Sequence, residues 1–166
     1  MELRLIQNRE EADELIAFLL GEGMFPTPLT PGEKQVICRD PYDSLAGRPS
    51  AYWMERDAEG RILAGIGIRE QANHTGIYEL TCIAVAPGNR QKGLGKAMLE
   101  QAVRHIEDAG GRGMLVDTSD HPAYGGMHAL LRRCGFTRVG HLPDFYFPGE
   151  GTHLYYRLLR RPGDAR

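Results

Sequence analysis

Cys82-Ile83-Ala84-Val85-Ala86-Pro87-Gly88-Asn89-Arg90-Gln91-Lys92-Gly93-Leu94-Gly95-Lys96-Ala97-Met98-Leu99 runs an apolar strand into a basic, glycine-punctuated turn that opens directly into a helix. The first turn of a helix carries free backbone N–H groups and about half a positive charge, so a pyrophosphate sits there without a side-chain cage. Gly93 and Gly95 let such a ligand approach the backbone, and Arg90, Lys92 and Lys96 add positive charge around it. Two familiar phosphate loops do not fit. A P-loop needs Lys and Ser or Thr directly after its second glycine, whereas Gly88 and Gly93 have the right gap but are followed by Leu94 and Gly95. A dinucleotide fingerprint needs Gly or Ala where Met98 stands, and the strand-rich chain before Cys82 shows no repeated βαβ units.

The arrangement that fits is Arg90-x-x-Gly93-x-Gly95, and in it the chain resembles the GNAT superfamily of acyl-CoA-dependent N-acyltransferases. The resemblance extends from residue 79 to 136. Glu79-Leu80-Thr81-Cys82-Ile83-Ala84-Val85 is similar to the family's central strand, with an acidic residue six positions before the closing Val. Met114–Ser119 is similar to its fifth strand, and Ala129–Phe136 to the next helix, ending in Gly135-Phe136. Pro143–Gly149, followed by Leu154–Leu158, resembles a C-terminal hairpin of many bacterial members. The implied fold is α/β (α+β), a mixed, mostly antiparallel sheet flanked by helices.

At 166 residues the chain is most simply one domain over 1–160 with a polar tail at 161–166, long enough to bury about 70% of its unfolded surface. A hydrophobic fraction of 42% and a charged fraction of 25% are those of an ordinary soluble globule. A net charge of −2 gives no global field to gather nucleic acid or an anionic membrane, so the basic cluster at 90–96 is expected to serve a small anion. Cys38, Cys82 and Cys134 are odd in number and widely spaced, which reads as reduced intracellular thiols. No stretch approaches the roughly 18 apolar residues of a membrane span, and Met1-Glu2-Leu3-Arg4 has no apolar signal core. A cytoplasmic protein is expected.

Along the chain, Leu3–Ile6 reads as a first strand, and Ala12, Leu15, Ile16 and Leu19 recur at helical spacing until Gly21 and Gly23. Residues 24–50 hold five of the ten prolines and read as an ordered loop with one short helix near Gly32–Cys38. That segment is either a surface connection or, by the resemblance, one wall of an acceptor site. Ser50–Arg56 and Ile62–Ile68 form a hairpin, and Ile77–Val85 is the buried central strand. A helix follows from Gly93 to about Ala109, stopped by Gly110-Gly111. A strand over 114–118, a helix over 124–134 and strands near 137–146 and 152–159 complete the order β-α-β-β-β-α-β-α-β-β.

The resemblance implies acetyl-CoA as donor and no metal. Its pyrophosphate would rest on the backbone of Arg90, Gln91, Lys92, Gly93, Leu94, Gly95 and Lys96, and its pantetheine would run as a pseudo-strand near 83–85 and 117–119, in contact with Ile83, Val85 and Ser119. The Ile83 N–H would be an oxyanion donor. An alkylamine has a pKa of about 10.4, so a base must take a proton from it. Glu79, where family members often carry a catalytic carboxylate, is the candidate base, and partial burial there would raise its pKa toward the working range. It reads alternatively as a structural carboxylate satisfied by amides.

One departure from the family concerns the leaving group. Many members carry a tyrosine four residues before the Gly of the Gly-Phe pair, where it protonates the thiolate, and here Leu131 stands there. A thiol with a pKa of about 8.5 leaving bare at pH 7 costs about 2 kcal/mol. Tyr124, Tyr146 and Cys134 are the candidate substitutes, with Tyr146 preferred among them, although a tyrosine packed at the sheet edge with its hydroxyl bonded is the more ordinary reading of that residue. His121 and His128 match no zinc spacing. Asp117 either orients the donor or ends a strand, and Arg132-Arg133 is either a solvated face or a partner of the adenosine 3′-phosphate.

Phe25, Tyr42, Trp53 and Tyr146 suggest an aromatic acceptor pocket or else core. The expected acceptor is a small-molecule amine or a protein N-terminal or lysine amine, and the resemblance admits a homodimer. A non-catalytic acyl-CoA sensor of the same fold is the alternative, favoured by Leu131 as Glu79 favours an enzyme.

Overall fold

The first strand, β1 (Arg4–Leu5), leads into α1 (Arg9–Leu19) in a computed structural model that describes residues 3–47 and 49–159. The tail expected at 161–166 lies outside the described residues. Asn8 caps α1 by accepting from the Glu11 N–H at 2.9 Å, and Glu11 answers by accepting from the Gln7 N–H at 2.7 Å. The helical spacing of Ala12, Leu15 and Leu19 buries all three.

The loop expected over 24–50 is instead largely helical. Helix α2 spans Pro31–Leu45, longer than the short Gly32–Cys38 helix expected from the prolines. Thr30 and Glu33 form a capping box: the Thr30 N–H donates to Glu33 Oε2 at 2.7 Å and the Glu33 N–H to Thr30 Oγ1 at 3.2 Å. Pro31 occupies the first helical position, where a missing N–H loses nothing and the fixed φ favours the helix. Pro41 lies inside the helix and is buried with Ile37 and Asp40, so tertiary packing outweighs the lost hydrogen bond there.

Strands β2 (Ser50–Arg56) and β3 (Ile62–Glu70) form the expected hairpin, with Trp53 opposite Ile66 and a bulge at Glu55/Arg56. Gly67 on β3 matters for packing: a Cβ there would collide with the Tyr52 ring, whose hydroxyl shares a 2.7 Å hydrogen bond with Thr81 Oγ1. Strand β4 (Ile77–Val85) agrees with expectation and is fourth in a seven-stranded sheet of order β1-β2-β3-β4-β5-β7-β6, where β5 is Gly113–Ser119, β6 Thr137–Phe147 and β7 Glu150–Leu158. Helices α3 (Leu94–Asp108) and α4 (Gly125–Arg133) complete the α/β architecture, whose order carries one helix more than expected.

Both later helices stop by the same device. Gly110, at φ +74°, donates to Glu107 O at 2.9 Å and Gly111 to Ile106 O at 2.7 Å, a Schellman motif. At the end of α4, Gly135, at φ +81°, donates to Arg132 O at 3.1 Å and Phe136 to Leu131 O at 3.0 Å. This explains the Gly-Phe pair: the glycine takes the left-handed cap, and Phe136 and Leu131 occupy the two positions whose apolar side chains accompany the motif. Both are buried.

The described residues up to Arg69 together with Thr81–Ala102 form one compact unit, and Glu70–Leu80 with those from Val103 onward form a second. In the first, α1 and α2 pack on a core of Ile6, Leu15, Leu19, Ile37, Tyr52 and Met54, against which Phe25 and Tyr42 also lie. Trp53 is fully buried. Of the four proposed pocket aromatics, Trp53 is therefore core, and Phe25 and Tyr42 are partly buried at the margin of that cluster. In the second unit, β5 pairs antiparallel with β7 along its length and β7 with β6.

Candidate functional site

The donor loop lies in the first unit. Past Val85 the chain makes a 3-10 turn over Pro87–Asn89, closed by the Asn89 N–H on Ala86 O at 2.8 Å. Gln91 and Gly93 then take left-handed conformations, at φ +63° and +85°, which turn the chain into α3. The first intrahelical bond is Ala97 N–H to Gly93 O at 3.1 Å, so the N–H groups of Leu94, Gly95 and Lys96 have no acceptor within the helix. A Cβ placed on Gly93 would meet nothing within 4 Å, which leaves open space at the helix start. Leu94, buried, anchors that turn from below. These features fit a diphosphate held by backbone donors.

The basic side chains do something the sequence did not reveal. Arg90 donates from Nε to Val85 O at 3.1 Å and from one terminal nitrogen to Gly23 O at 2.7 Å and Met24 O at 3.0 Å. It fastens the loop to the segment joining α1 and α2. Lys92 folds back on Gly88 O at 3.0 Å and Asn89 Oδ1 at 3.1 Å, and Lys96 pairs with Glu100 at 3.4 Å. With these side chains so engaged, the backbone N–H groups of the turn are the main candidates for holding an anion. On β4, half-buried Ile83 and Val85 alternate with buried Cys82 and Ala84, and burial pushes the Cys82 thiol up to about 12.

The proton-handling candidates lie in the second unit. Glu79 is half-buried and accepts a hydrogen bond from the Gln71 side-chain amide. It stands opposite Leu115 in the parallel β4–β5 pairing that starts with Ile77 and Gly113. Because alternate residues share a face, Glu79, Leu115, Asp117 and Ser119 point to the same side of the sheet. Asp117 is exposed and accepts from the Tyr146 hydroxyl at 2.6 Å, although β7 separates β6 from β5. A break in the ladder permits this reach. β6 leaves its register with β7 between Leu142 and Phe147, and Asp144, at φ +53°, stabilises the arch by accepting from the Gly149 N–H at 2.7 Å.

Ser119 is buried; its hydroxyl donates to Glu150 Oε1 at 2.6 Å and accepts from the His121 N–H at 3.1 Å. Leu131 is fully buried, so no hydroxyl comes from that position of α4. His128, one turn earlier, is held at both nitrogens. Its Nε2 donates to Ser119 O at 3.0 Å, and since a carbonyl only accepts, Nδ1 of the neutral ring accepts from the Tyr155 hydroxyl, also at 3.0 Å. Burial lowers the pKa of His128 and of His153, whose rings lie 5.1 Å apart. His141 continues the series, 4.8 Å from His153 and 2.8 Å from Asp120 Oδ2. No spacing rule announces this cluster, because α4, β6 and β7 each contribute one histidine and the three are more than ten residues apart. His121 is elsewhere engaged, its Nδ1 accepting from the Ala123 N–H at 3.2 Å.

Likenesses to known proteins agree with this geometry. A mycothiol acetyltransferase of Pseudarthrobacter chlorophenolicus is 30% identical over 95 residues, covering 54% of this chain but only 28% of that protein's length. Among solved structures, one assigned to the GNAT family from Desulfovibrio desulfuricans superposes with a TM-score of 0.78 at 23% identity, over 95% of this chain and 98% of the other. The ribosomal-protein-S18-alanine N-acetyltransferase of Escherichia coli gives a TM-score of 0.75 at 16% identity, over 99% and 97%. An aminoglycoside 6′-N-acetyltransferase complexed with coenzyme A gives 0.74 at 16%, over 98% and 99%. The model of the acetyltransferase (GNAT) family matches residues 12–136. With three quarters of its length so matched, and with a glycine-shaped helix start where the motif requires one, the chain belongs to the GNAT acetyltransferase family.

Proposed function

We propose that this protein is a cytoplasmic N-acetyltransferase that moves an acetyl group from acetyl-CoA to a primary amine. The observation that carries the reading is the donor loop: left-handed Gln91 and Gly93 ahead of three helix-start N–H groups. In this reading the backbone of residues 90–96 holds the diphosphate, Ile83 and Val85 of β4 and Ser119 of β5 flank the pantetheine arm, and the Ile83 N–H steadies the oxyanion. Acetyl-CoA supplies the acyl group as a thioester, and no metal takes part.

Glu79 is the proposed base. Its Oε2 accepts a hydrogen bond from the Gln71 side-chain amide, which orients the carboxylate for the role of base. Tyr146 is the proposed source of the proton for the departing sulfur, a role in which its hydroxyl turns away from Asp117. The acceptor is a small-molecule amine or a protein N-terminal or lysine amine, and the relatives named above supply precedents of these kinds by name. No helix among the described residues is long and apolar enough to cross a membrane. A homodimer is compatible with this reading, and nucleic acid is not a proposed partner.

The second reading, a non-catalytic acyl-CoA sensor, draws on Leu131, fully buried where many members carry their acid. Free-thiol release from acetyl-CoA across an amine panel, run beside calorimetric titration of CoA, separates the two. Thiol release that depends on an added amine supports the enzyme; CoA binding without turnover on any amine supports the sensor; no CoA binding overturns both.

A further inference from the structure

We infer that Arg132 of α4 and Arg138 of β6, set over the His128–His153 pair, form a binding site for a doubly charged phosphate group. The site lies wholly within the second unit, and it does not depend on the acetyl-transfer reading.

Placement is the first support. Between Gly125 and Leu159 the chain has no lysine and carries Arg132, Arg133, Arg138 and Arg157 against Asp144 and Glu150, although the whole chain has a net charge of −2. Arg132 follows His128 by one helical turn, so the two side chains share one side of α4. Arg138 stands opposite Tyr155 in the β6–β7 ladder, and the Tyr155 hydroxyl is bonded to His128 Nδ1 at 3.0 Å. His141 stands opposite His153, whose ring lies 5.1 Å from that of His128. The two arginines thus approach one histidine pair from a helix and from an edge strand.

Unspent charge is the second support. Arg157, on the same face as Tyr155, is occupied, donating from Nη1 to Cys134 O at 2.8 Å. Asp120, the carboxylate that faces the histidines, has both oxygens engaged, one by the Gly151 N–H at 2.8 Å and the other by His141 Nε2 at 2.8 Å. The guanidinium groups of Arg132 and Arg138, both exposed, make no hydrogen bond or ion pair among the described residues. Two guanidinium groups match the two charges of a phosphate monoester and offer forked N–H donors to its oxygens, whereas a single arginine suffices for a carboxylate.

The histidines are the third. Burial is the main cause that keeps both rings neutral, and beside it Arg132 and Arg138 bear on His128, and Arg138 on His153, as like charges. His153 Nδ1 is buried without a hydrogen-bond partner, so a proton taken up there finds no acceptor in the protein. A dianion on the two arginines cancels their repulsion and makes that proton less costly.

The test is calorimetric titration of sodium phosphate, methyl phosphate and sodium acetate into CoA-saturated protein at pH 7.5 and constant ionic strength. Saturable binding of phosphate in at least one of its two forms, and none of acetate, is expected; the tighter of the two forms tells an ester from the free ion. Arg132→Gln and Arg138→Gln should each weaken it tenfold or more, and Arg133→Gln should leave it unchanged. Affinity for 3′-dephospho-CoA should be the same in all three variants, as proof of folding. Sulfate, which keeps its two charges throughout, should bind about threefold more tightly at pH 6.0 than at pH 7.5, as the histidines take up protons. The inference is overturned by the absence of saturable phosphate binding, by equal binding of acetate, by wild-type phosphate affinity in the Arg132 and Arg138 variants, or by equal sulfate affinity at the two pH values. It is overturned as well if either of those variants loses affinity for CoA but not for 3′-dephospho-CoA, which would assign the pair to the donor. None of these results bears on amine-dependent thiol release, so the acetyltransferase reading stands or falls separately.

Discussion

The Tyr146 hydroxyl reaches Asp117 at 2.6 Å over an intervening strand, β7, and so ties the outermost strand of the sheet to β5 by a side chain rather than by the ladder. The role proposed for it in turnover and its place in the β6 arch are separable, because phenylalanine keeps the ring and loses only the oxygen.

Tyr146→Phe should lower the rate of amine-dependent thiol release about tenfold or more, within the range of positioned proton donors. Unchanged turnover would remove Tyr146 from proton transfer and leave it a sheet-edge residue.

Glu79→Gln preserves the shape of the side chain and removes the proton acceptor. We expect turnover to fall about a hundredfold and the acidic limb of the pH–rate profile to disappear. A variant that retains the wild-type profile would assign Glu79 to structure, with Gln71 as its partner.

Gly93→Ala forces an L-residue to φ +85°, although the added methyl itself has room. The strain predicts a loss of about 1 kcal/mol of stability, together with weaker CoA binding as the turn relaxes. Denaturant midpoints and CoA titration check the two effects; intact CoA affinity would show that the turn's geometry is unimportant for the donor.

His128 and His153 predict how stability depends on pH. Burial is the main cause that lowers both, reinforced by Arg132 and Arg138 around His128 and by Arg138, His128 and His141 around His153; Asp120 opposes it in each case, as does the Ser119 carbonyl at His128. An unfolded histidine titrates near 6.5, so below about that pH the unfolded chain binds more protons than the folded one. Stability from this pair is thus fully present above pH 6.5 and declines as the solution is acidified. Urea midpoints at pH 7.5 and 5.5 should show the decline, and His153→Asn should flatten it; equal midpoints in the wild type would refute the account.

Thr30→Ala should cost about 1 kcal/mol by opening the capping box of α2. A thermal midpoint equal to that of the wild type would mean that packing alone holds the start of that helix.

Much of the fold was legible because its signals are local. The alternation of Ser50–Arg56, the apolar run Ile77–Val85 and the Gly110-Gly111 stop each depend on a few neighbouring residues, and β2, β4 and the end of α3 follow them. Helix α2 was misjudged because five prolines outweighed one Thr30-Pro31-Gly32-Glu33 signature, in which proline is a starter rather than a breaker. The donor loop was legible as an anion site, but the Arg90 bonds to Gly23 and Met24 span more than sixty residues of sequence and no local pattern encodes them. Asp117 with Tyr146 is likewise a product of strand order, and the three histidines of the packing of α4 beside β6 and β7. Glu79 is legible as a carboxylate in an apolar strand at the position the family resemblance marks, whereas its Gln71 partner appears only when the β3–β4 turn closes.

The Arg90 anchor ties the α1–α2 connection to the loop proposed to hold the donor's diphosphate. If the proposed donor loop and acceptor wall are correct, replacing residues 25–49 would disturb donor handling too unless the carbonyls of Gly23 and Met24 keep their aim. Exchange of acceptor walls between relatives is best made downstream of that splice point.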